Sequence, residues 1–174
     1  KYNLGFALYG TPSESLCDRF ARVDKQEFGD IKGITDKGYY DNSFHVSSRI
    51  NISPFEKLRL EAPGHKLAAG GHISYIETDS LKNNLDAVKD ILKYAKSVGI
   101  HYMGINQPVD KCHICGYKGE FTATKEGFTC PQCGNHDSNE MSVIRRVCGY
   151  LSQPNARPFN KGKQEEIMHR VKHS

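Results

Sequence analysis

The sequence has no long uninterrupted apolar run, and its mean hydropathy is −0.61. A membrane-spanning helix needs about 20 mostly apolar residues, so no such helix is expected. The chain opens Lys1, Tyr2, Asn3, with no initiator Met and no signal-like apolar core. It therefore reads as part of a longer protein and not as a mature secreted chain. Internal repeats and low-complexity tracts are lacking too. So is a strong charge: the net value is +4 over 174 residues, too mild by itself to indicate nucleic-acid binding. The one local basic cluster, residues 161–172, is expected to be the solvated face of a terminal helix. Large aliphatic residues are scarce over residues 109–138. Such a segment cannot build its own core and needs a staple.

What is present fits an ordinary globular chain, one domain or a domain plus a small module. Residues 4–9 read as a short apolar strand. Leu16, Phe20 and Val23 recur at helical spacing within a helix expected over residues 14–27. Asp36, Lys37 and Gly38 signal a turn, and residues 39–46 are too mixed to assign. Pro54 suits the first turn of a short helix over residues 54–60. The clearest unit lies between Gly70 and Asn106. A strand over residues 72–76 precedes a helix capped by Asp79 or Ser80. Its apolar stripe is Leu81, Leu85, Val88, Ile91, Leu92 and Ala95. Gly99 sits where a left-handed cap belongs, and residues 100–105 form another strand. Strand, helix and strand of these lengths join parallel strands by a crossover, which makes residues 1–108 part of an α/β sheet or barrel. A last helix is expected over residues 163–172.

Six cysteines are present. Four form the pattern Cys112, His113, Ile114, Cys115, then Cys130, Pro131, Gln132, Cys133, each pair followed by a glycine, Gly116 and Gly134. Two-residue spacing turns both thiolates of a tight loop toward one ion, and glycine lets the backbone fold back beneath them. Two such loops make a closed tetrahedral site suited to structural Zn²⁺; iron in the same site and a pair of disulfides are the alternatives. Residues 109–138 therefore read as a zinc ribbon, with His113 and His136 as surface residues. Ribbons of this kind often bind nucleic acids. Here Lys118 and Lys125 are balanced by Glu120 and Glu126, so the basic footprint that phosphates require is weak.

Past the ribbon stand Arg146, Val147, Cys148, Gly149 and Tyr150. This run resembles the Arg-Val-x-Gly-Tyr signature of the glycyl radical enzymes. The tail that follows, with Asn155, Ala156, Arg157, Pro158, Phe159, Asn160, Lys161, Gly162 and Lys163 and then Arg170, Val171, Lys172 and His173, resembles the end of the anaerobic (class III) ribonucleoside-triphosphate reductases. A four-cysteine zinc site stands upstream of the radical loop in that family as well. The resemblance implies a ten-stranded α/β barrel, of which residues 1–108 supply the C-terminal part, and a radical loop with its tail over residues 139–174. It makes Gly149 the radical residue. Loss of a Cα hydrogen leaves an electron shared between an amide nitrogen and a carbonyl. That delocalisation needs a flat backbone, which a Cβ would oppose. Cys148 is expected to pack and Tyr150 to anchor the loop.

Thr11, Pro12, Ser13, Glu14 and Ser15 stand between strand and helix, where free N–H groups and hydroxyls attract anions. By resemblance, Thr11, Ser13 and Ser15 contact the substrate phosphates; plain helix capping is the alternative. Cys17 is expected to be a buried small hydrophobe. Asn42, Ser43, Phe44 and His45 also resemble a reductase segment. The family chemistry thereby implied is reduction of ribonucleoside triphosphates to 2′-deoxyribonucleoside triphosphates, in the cytoplasm (the host's if phage-encoded). A separate activating enzyme, with S-adenosylmethionine and a 4Fe-4S cluster, makes the glycyl radical. The glycyl radical oxidises a cysteine to a thiyl, and formate is the reductant. ATP and dNTP effectors act outside this chain, and the enzyme is a homodimer. No residue here matches the family's thiyl cysteine, so the segment alone is not expected to turn over. A non-enzymatic zinc-ribbon nucleic-acid binder and a glycyl radical spare-part protein are the rival readings.

Overall fold

The computed structural model describes residues 3–10, 16–41, 44–146, 151–152 and 159–173. In chain order the elements are α1 (Cys17–Phe28), α2 (Pro54–Leu67), β1 (Ser74–Glu77), α3 (Leu85–Val98), β2 (Met103–Asn106), β3 (Asp110–Cys112), β4 (Lys118–Gly119), β5 (Thr122–Thr124), β6 (Gly127–Thr129), β7 (Met141–Ser142), β8 (Arg145–Arg146), β9 (Leu151–Ser152) and α4 (Lys161–His169). They form two compact units. One comprises Lys1–Pro12, Ser43–Asn106 and Val171–Ser174; the other comprises Ser13–Asn42 and Gln107–Arg170. Among the described residues no helix is long and apolar enough to cross a membrane.

The first unit is built on a parallel strand pair. β1 and β2 align Ser74 with Met103 through Glu77 with Asn106, and α3 makes the crossover between them. The expected strand–helix–strand unit is there, with its boundaries moved. The helix is capped by Asn84, whose side chain accepts from the Ala87 N–H at 3.2 Å, and not by Asp79 or Ser80. Leu81 precedes the helix yet still packs on the core. That core is Leu58 of α2, Ile76 of β1, and Ile91 and Ala95 of α3. Gly99 ends α3 in the left-handed conformation, φ 87° and ψ 28°.

α2 runs to Leu67, past residue 60 and through Pro63. Ser53 caps it by accepting from the Glu56 N–H at 3.1 Å, and Pro54 opens the first turn, where its missing donor costs nothing. Residues 3–10 are not the expected strand. They touch a neighbour through one parallel bridge, Tyr9 to Gly71, with Leu4, Phe6 and Leu8 exposed. An apolar run becomes a strand only where a ladder partner lies alongside. The tail joins this unit as Val171 N–H donates to Ser48 O (2.8 Å) and His173 N–H to Glu77 O (2.8 Å).

In the second unit α1 and α4 pack together. α1 keeps the expected period, but Leu16, Phe20 and Val23 are exposed and its buried face is Cys17 and Ala21. Asn160 caps α4, accepting from Lys163 N–H at 2.9 Å, and its amide also donates to Asp18 Oδ1 at 3.3 Å. α4 begins and ends two to three residues earlier than expected, at Lys161 and His169. Its basic cluster is not simply solvated. Lys163 is 1% exposed and pairs with Glu166, which also holds Arg170. The remaining strands make a small antiparallel module: β4, β3 and β7 in one sheet, β5 with β6, and β8 with β9.

The closeness of α1 and α4 rests on Gly162. A Cβ there would lie 2.8 Å from Asp18 Cβ, 3.0 Å from Tyr39 Cβ and 3.1 Å from Cys17 Sγ. Gly162→Ala is expected to destabilise this unit by about 1–3 kcal/mol, read as a lowered melting temperature. An unchanged melting temperature would show that the helices separate freely.

Candidate metal centre

β3 delivers Cys112 at the edge of a tight turn. The Gly116 N–H donates to Cys112 O at 3.1 Å, and the Cys112 N–H donates to Tyr117 O at 2.9 Å. The second pair repeats the pattern: Gly134 N–H to Cys130 O at 2.9 Å, Cys130 N–H to Asn135 O at 2.8 Å. Gly116 and Gly134 carry φ of 75° and 71°, the left-handed region that a side chain opposes. Two identical loops thus present four sulfurs to one point. Cys112 Sγ lies 3.7 Å from Cys133 Sγ, Cys115 Sγ lies 3.7 Å from Cys130 Sγ, and all four are within 4.8 Å of one another. All four thiols are free.

This donor set fits a tetrahedral metal. Zinc–thiolate bonds of about 2.3 Å put sulfurs about 3.8 Å apart at tetrahedral angles. The Cys115 N–H, opposed by burial and aided by the Ile114 N–H, pushes the Cys112 thiol down to about 6. The Tyr117 N–H favours the Cys115 thiolate, but burial and the sulfurs of Cys133, Cys112 and Cys130 override it and push that thiol up to about 12. Four thiols this close cannot all ionise unless a cation joins them. His113 and His136 are exposed and stand outside the group, as the spacing implies.

The sulfurs are also the core of their module. Buried Cys112 and Cys130 pack with Phe121, Met141 and Val143, against Cys115, Tyr117 and Phe128. Sequence reasoning missed the group that ties this core together. Asp110, two residues before the first ligand candidate, is 1% exposed. Its Oδ2 accepts from the Phe121 N–H at 2.8 Å and its Oδ1 from the Ile144 N–H at 3.2 Å. A buried carboxylate is retained where it satisfies backbone donors that would otherwise be orphaned. The only sequence signal was an acidic residue inside a sparse apolar segment.

The first unit holds a second polar cluster. Glu61 of α2 is 1% exposed. Its Oε1 accepts from Lys57 Nζ (2.5 Å) and the Val46 N–H (2.8 Å), and its Oε2 from the Ser74 hydroxyl (2.5 Å). Burial alone would raise the Glu61 carboxyl, but Lys57, His45 and the Ser74 hydroxyl hold it below its ordinary value. The His101 N–H points at His65 Nδ1 (3.3 Å), so Nε2 carries the proton and donates to Ser74 Oγ at 2.9 Å. Burial, then the charge of His72, depresses His65 to about 4. His45, Glu61 and His72 also lie within metal-ligating reach of one another. Lys57 already neutralises the carboxylate, however, and a divalent ion added to a balanced buried pair brings uncompensated charge.

Gly149, Cys148 and Tyr150, the Thr11, Ser13 and Ser15 turn, and Asn42 and Ser43 lie outside the described residues. Arg146 is described. It pairs with Leu151 across β8 and β9, so the two ends of residues 147–150 are joined. Cys17 is fully buried, burial pushes its thiol up, and its Sγ approaches Asn160 Oδ1 at 3.7 Å. It is the inert packing residue expected.

Fold and site together define an α/β chain carrying a four-thiol metal module next to a short hairpin. A family model described as anaerobic ribonucleoside-triphosphate reductase matches residues 1–173, and the chain belongs to that family. It is 54% identical over 169 residues to the anaerobic ribonucleoside-triphosphate reductase of Escherichia coli K12, covering 97% of this chain and 24% of that protein. It is likewise 54% identical over 168 residues to the phage T4 enzyme of the same name, covering 97% of this chain and 28% of that one. The chain thus spans about a quarter of the length of these relatives. A solved anaerobic ribonucleotide reductase superposes with a TM-score of 0.72 at 22% identity, over 99% of this chain and 26% of its own. The Thermotoga maritima enzyme, solved with glycerol in the active site, superposes with a TM-score of 0.60 at 24% identity, over 95% of this chain and 24% of its own. These two likenesses speak for the fold alone.

Two outcomes follow from the geometry. Cys112→Ser or Cys133→Ser is expected to abolish stoichiometric metal binding, measured by elemental analysis, and to unfold the module, whose core the sulfurs form; full metal content would mean other ligands. His65 is neutral when folded and titrates near 6.5 when unfolded. Its contribution is therefore complete above pH 6.5 and is lost as pH falls toward 4, by about 3 kcal/mol. In denaturant titrations His65→Gln should remove that part of the pH slope. An identical slope would mean that His65 is protonated in the folded state.

Proposed function

We propose that this chain supplies the stored radical of an anaerobic ribonucleoside-triphosphate reductase. In this reading residues 1–108 are the C-terminal part of a ten-stranded α/β barrel of glycyl radical enzyme type and carry the substrate-phosphate turn. Residues 109–138 are the zinc ribbon, and residues 139–174 are the radical loop and tail. The observation that carries the reading is the joint presence of the family match through residue 173, the Arg146 to Tyr150 signature, and four converging sulfurs just ahead of it.

Zinc at Cys112, Cys115, Cys130 and Cys133 would be structural, since four protein thiolates leave no position for substrate or water. A separate radical S-adenosylmethionine activating enzyme, with its 4Fe-4S cluster, removes one hydrogen from the Gly149 Cα. Gly149 then takes a hydrogen from a barrel cysteine that lies outside this chain. The resulting thiyl takes the 3′ hydrogen of a ribonucleoside triphosphate, water leaves from the 2′ carbon, and formate supplies the reducing equivalents. After turnover the cysteine thiyl takes a hydrogen back from the Gly149 Cα, and Gly149 stores the radical between turnovers. Thr11, Ser13 and Ser15 hold the substrate phosphates through hydroxyls and N–H groups at the start of α1. ATP and dNTP effectors bind elsewhere on the complete homodimeric protein, which works in the cytoplasm. The balanced charge of the ribbon disfavours direct nucleic-acid binding.

Electron paramagnetic resonance tests the reading. Anaerobic activation of the complete protein is expected to give a doublet, split by the one hydrogen left on the Gly149 Cα, and Gly149→Ala should abolish it. A doublet that survives that substitution assigns the radical elsewhere.

A further inference from the structure

Two side chains fasten the backbone of β8, which pairs with β9. Asp110 accepts from the Ile144 N–H at 3.2 Å, just before β8. Arg170, at the end of α4, donates from Nη1 to the Arg146 carbonyl at 2.9 Å. Arg146 is the last residue of β8 and pairs with Leu151 of β9. The guanidinium is itself held. Its Nη2 donates to Glu166 Oε1 at 2.7 Å, and the other oxygen of Glu166 accepts from Lys163 Nζ at 2.7 Å. Lys163 and Glu166 are 1% and 5% exposed. Two cations on one buried carboxylate form an arrangement that breaks as a unit when a partner is removed.

We propose that Arg170, through Glu166 and Lys163, is a positioning residue for the radical glycine. It does so by holding the carbonyl of Arg146, the residue that opens the signature. The inference rests on the reading of Gly149 as the radical residue and extends it to side chains about twenty positions further along. A planar guanidinium fits this role. One edge of the fork takes the backbone carbonyl while the other keeps the carboxylate, which a lysine cannot do with the same rigidity. Hydrogen transfer between Gly149 and a cysteine tolerates little displacement, and a shift of about 1 Å costs on the order of a hundredfold in rate. Two side-chain contacts along β8 are how this unit limits such displacement.

The test uses the complete protein, activated anaerobically, with turnover divided by the radical spins measured in the same sample. Normalising to spins separates positioning from the efficiency of activation. Arg170→Gln is expected to lower kcat per spin by roughly tenfold to a hundredfold at temperatures where the variant is fully folded, with KM for the ribonucleoside triphosphate and metal content unchanged. Arg170→Lys should recover part of the loss. Unchanged kcat per spin in Arg170→Gln overturns the proposal. So does a loss that only tracks falling metal content and melting temperature, because that marks a merely structural role. Should Arg170→Gln fail to fold, Glu166→Gln decides. A lowered kcat per spin in fully folded, metal-replete protein supports the proposal, and a normal value overturns it. A wild-type protein that shows no radical at all refutes the assignment of Gly149 instead, so the two failures are distinguishable.

Discussion

The second unit depends on four sulfur atoms meeting at one point. Residues 109–138 contain too few large apolar side chains to exclude water on their own. The structure answers by burying Cys112 and Cys130 fully and packing Phe121, Met141 and Val143 around them. Thiols so close oppose one another's ionisation, and the sulfurs around Cys115 help push its thiol up. A cation bound by the four sulfurs would turn that repulsion into binding energy that folds the module. The same sulfurs serve as donor set and as core, so metal affinity and local stability are one quantity here.

Outside this module the chain relies on buried charge to an unusual degree. Glu61 with Lys57, and Glu166 with Lys163 and Arg170, sit where hydrophobic residues of similar volume would be no less stable. What ionic groups add is direction. Glu61 collects α2, the Val46 backbone and β1 at one carboxylate, and Glu166 aims a guanidinium at a single carbonyl. Hydrophobic packing is non-directional and tolerates sliding, whereas a saturated carboxylate has few equivalent positions. Both networks lie beside segments that resemble reductase motifs, and both pin backbone there.

Legibility in the sequence followed the range of the interactions. The α3 crossover was readable because its stripe, its Gly99 cap and its flanking strands are all local signals. Its start was misplaced because Asp79 and Ser80 are capping residues directly ahead of Leu81, whereas a turn at residues 81–84 delays the helix to the Asn84 cap. α2 outran its expected end because burial of Glu61 and His65 repays a helix that continues through Pro63. The metal ligands were plain, since their spacing encodes their geometry. Asp110 and Arg170 were not. Asp110 acts 11 and 34 residues away and Arg170 acts 24 residues away, and no periodicity records such pairings. On α1 the apolar spacing identified the helix but not its buried face, because Cys17 and Ala21 meet α4 at a distance in sequence that no local pattern spans.

The placement of Asp110 joins metal to hairpin by a short path. β3 begins at Asp110 and ends at Cys112, so one strand of three residues carries both the carboxylate that holds Ile144 and a sulfur of the cluster. β3 also pairs with β7, where Cys112 stands opposite Met141, two residues before the core residue Val143. A displaced Cys112 would carry Asp110 with it, and Asp110 holds the N–H of Ile144. Arg170 reaches the same hairpin from α4 by contacts that involve no cysteine. Sulfur cluster and tail therefore reach one backbone segment by separate routes. Removing both should cost less than the sum of removing each, because either loss alone already loosens the same strand, β8. That sub-additivity is the physical mark of two fasteners on one hairpin, and it would be absent if the ribbon and the tail each supported a different part of the fold.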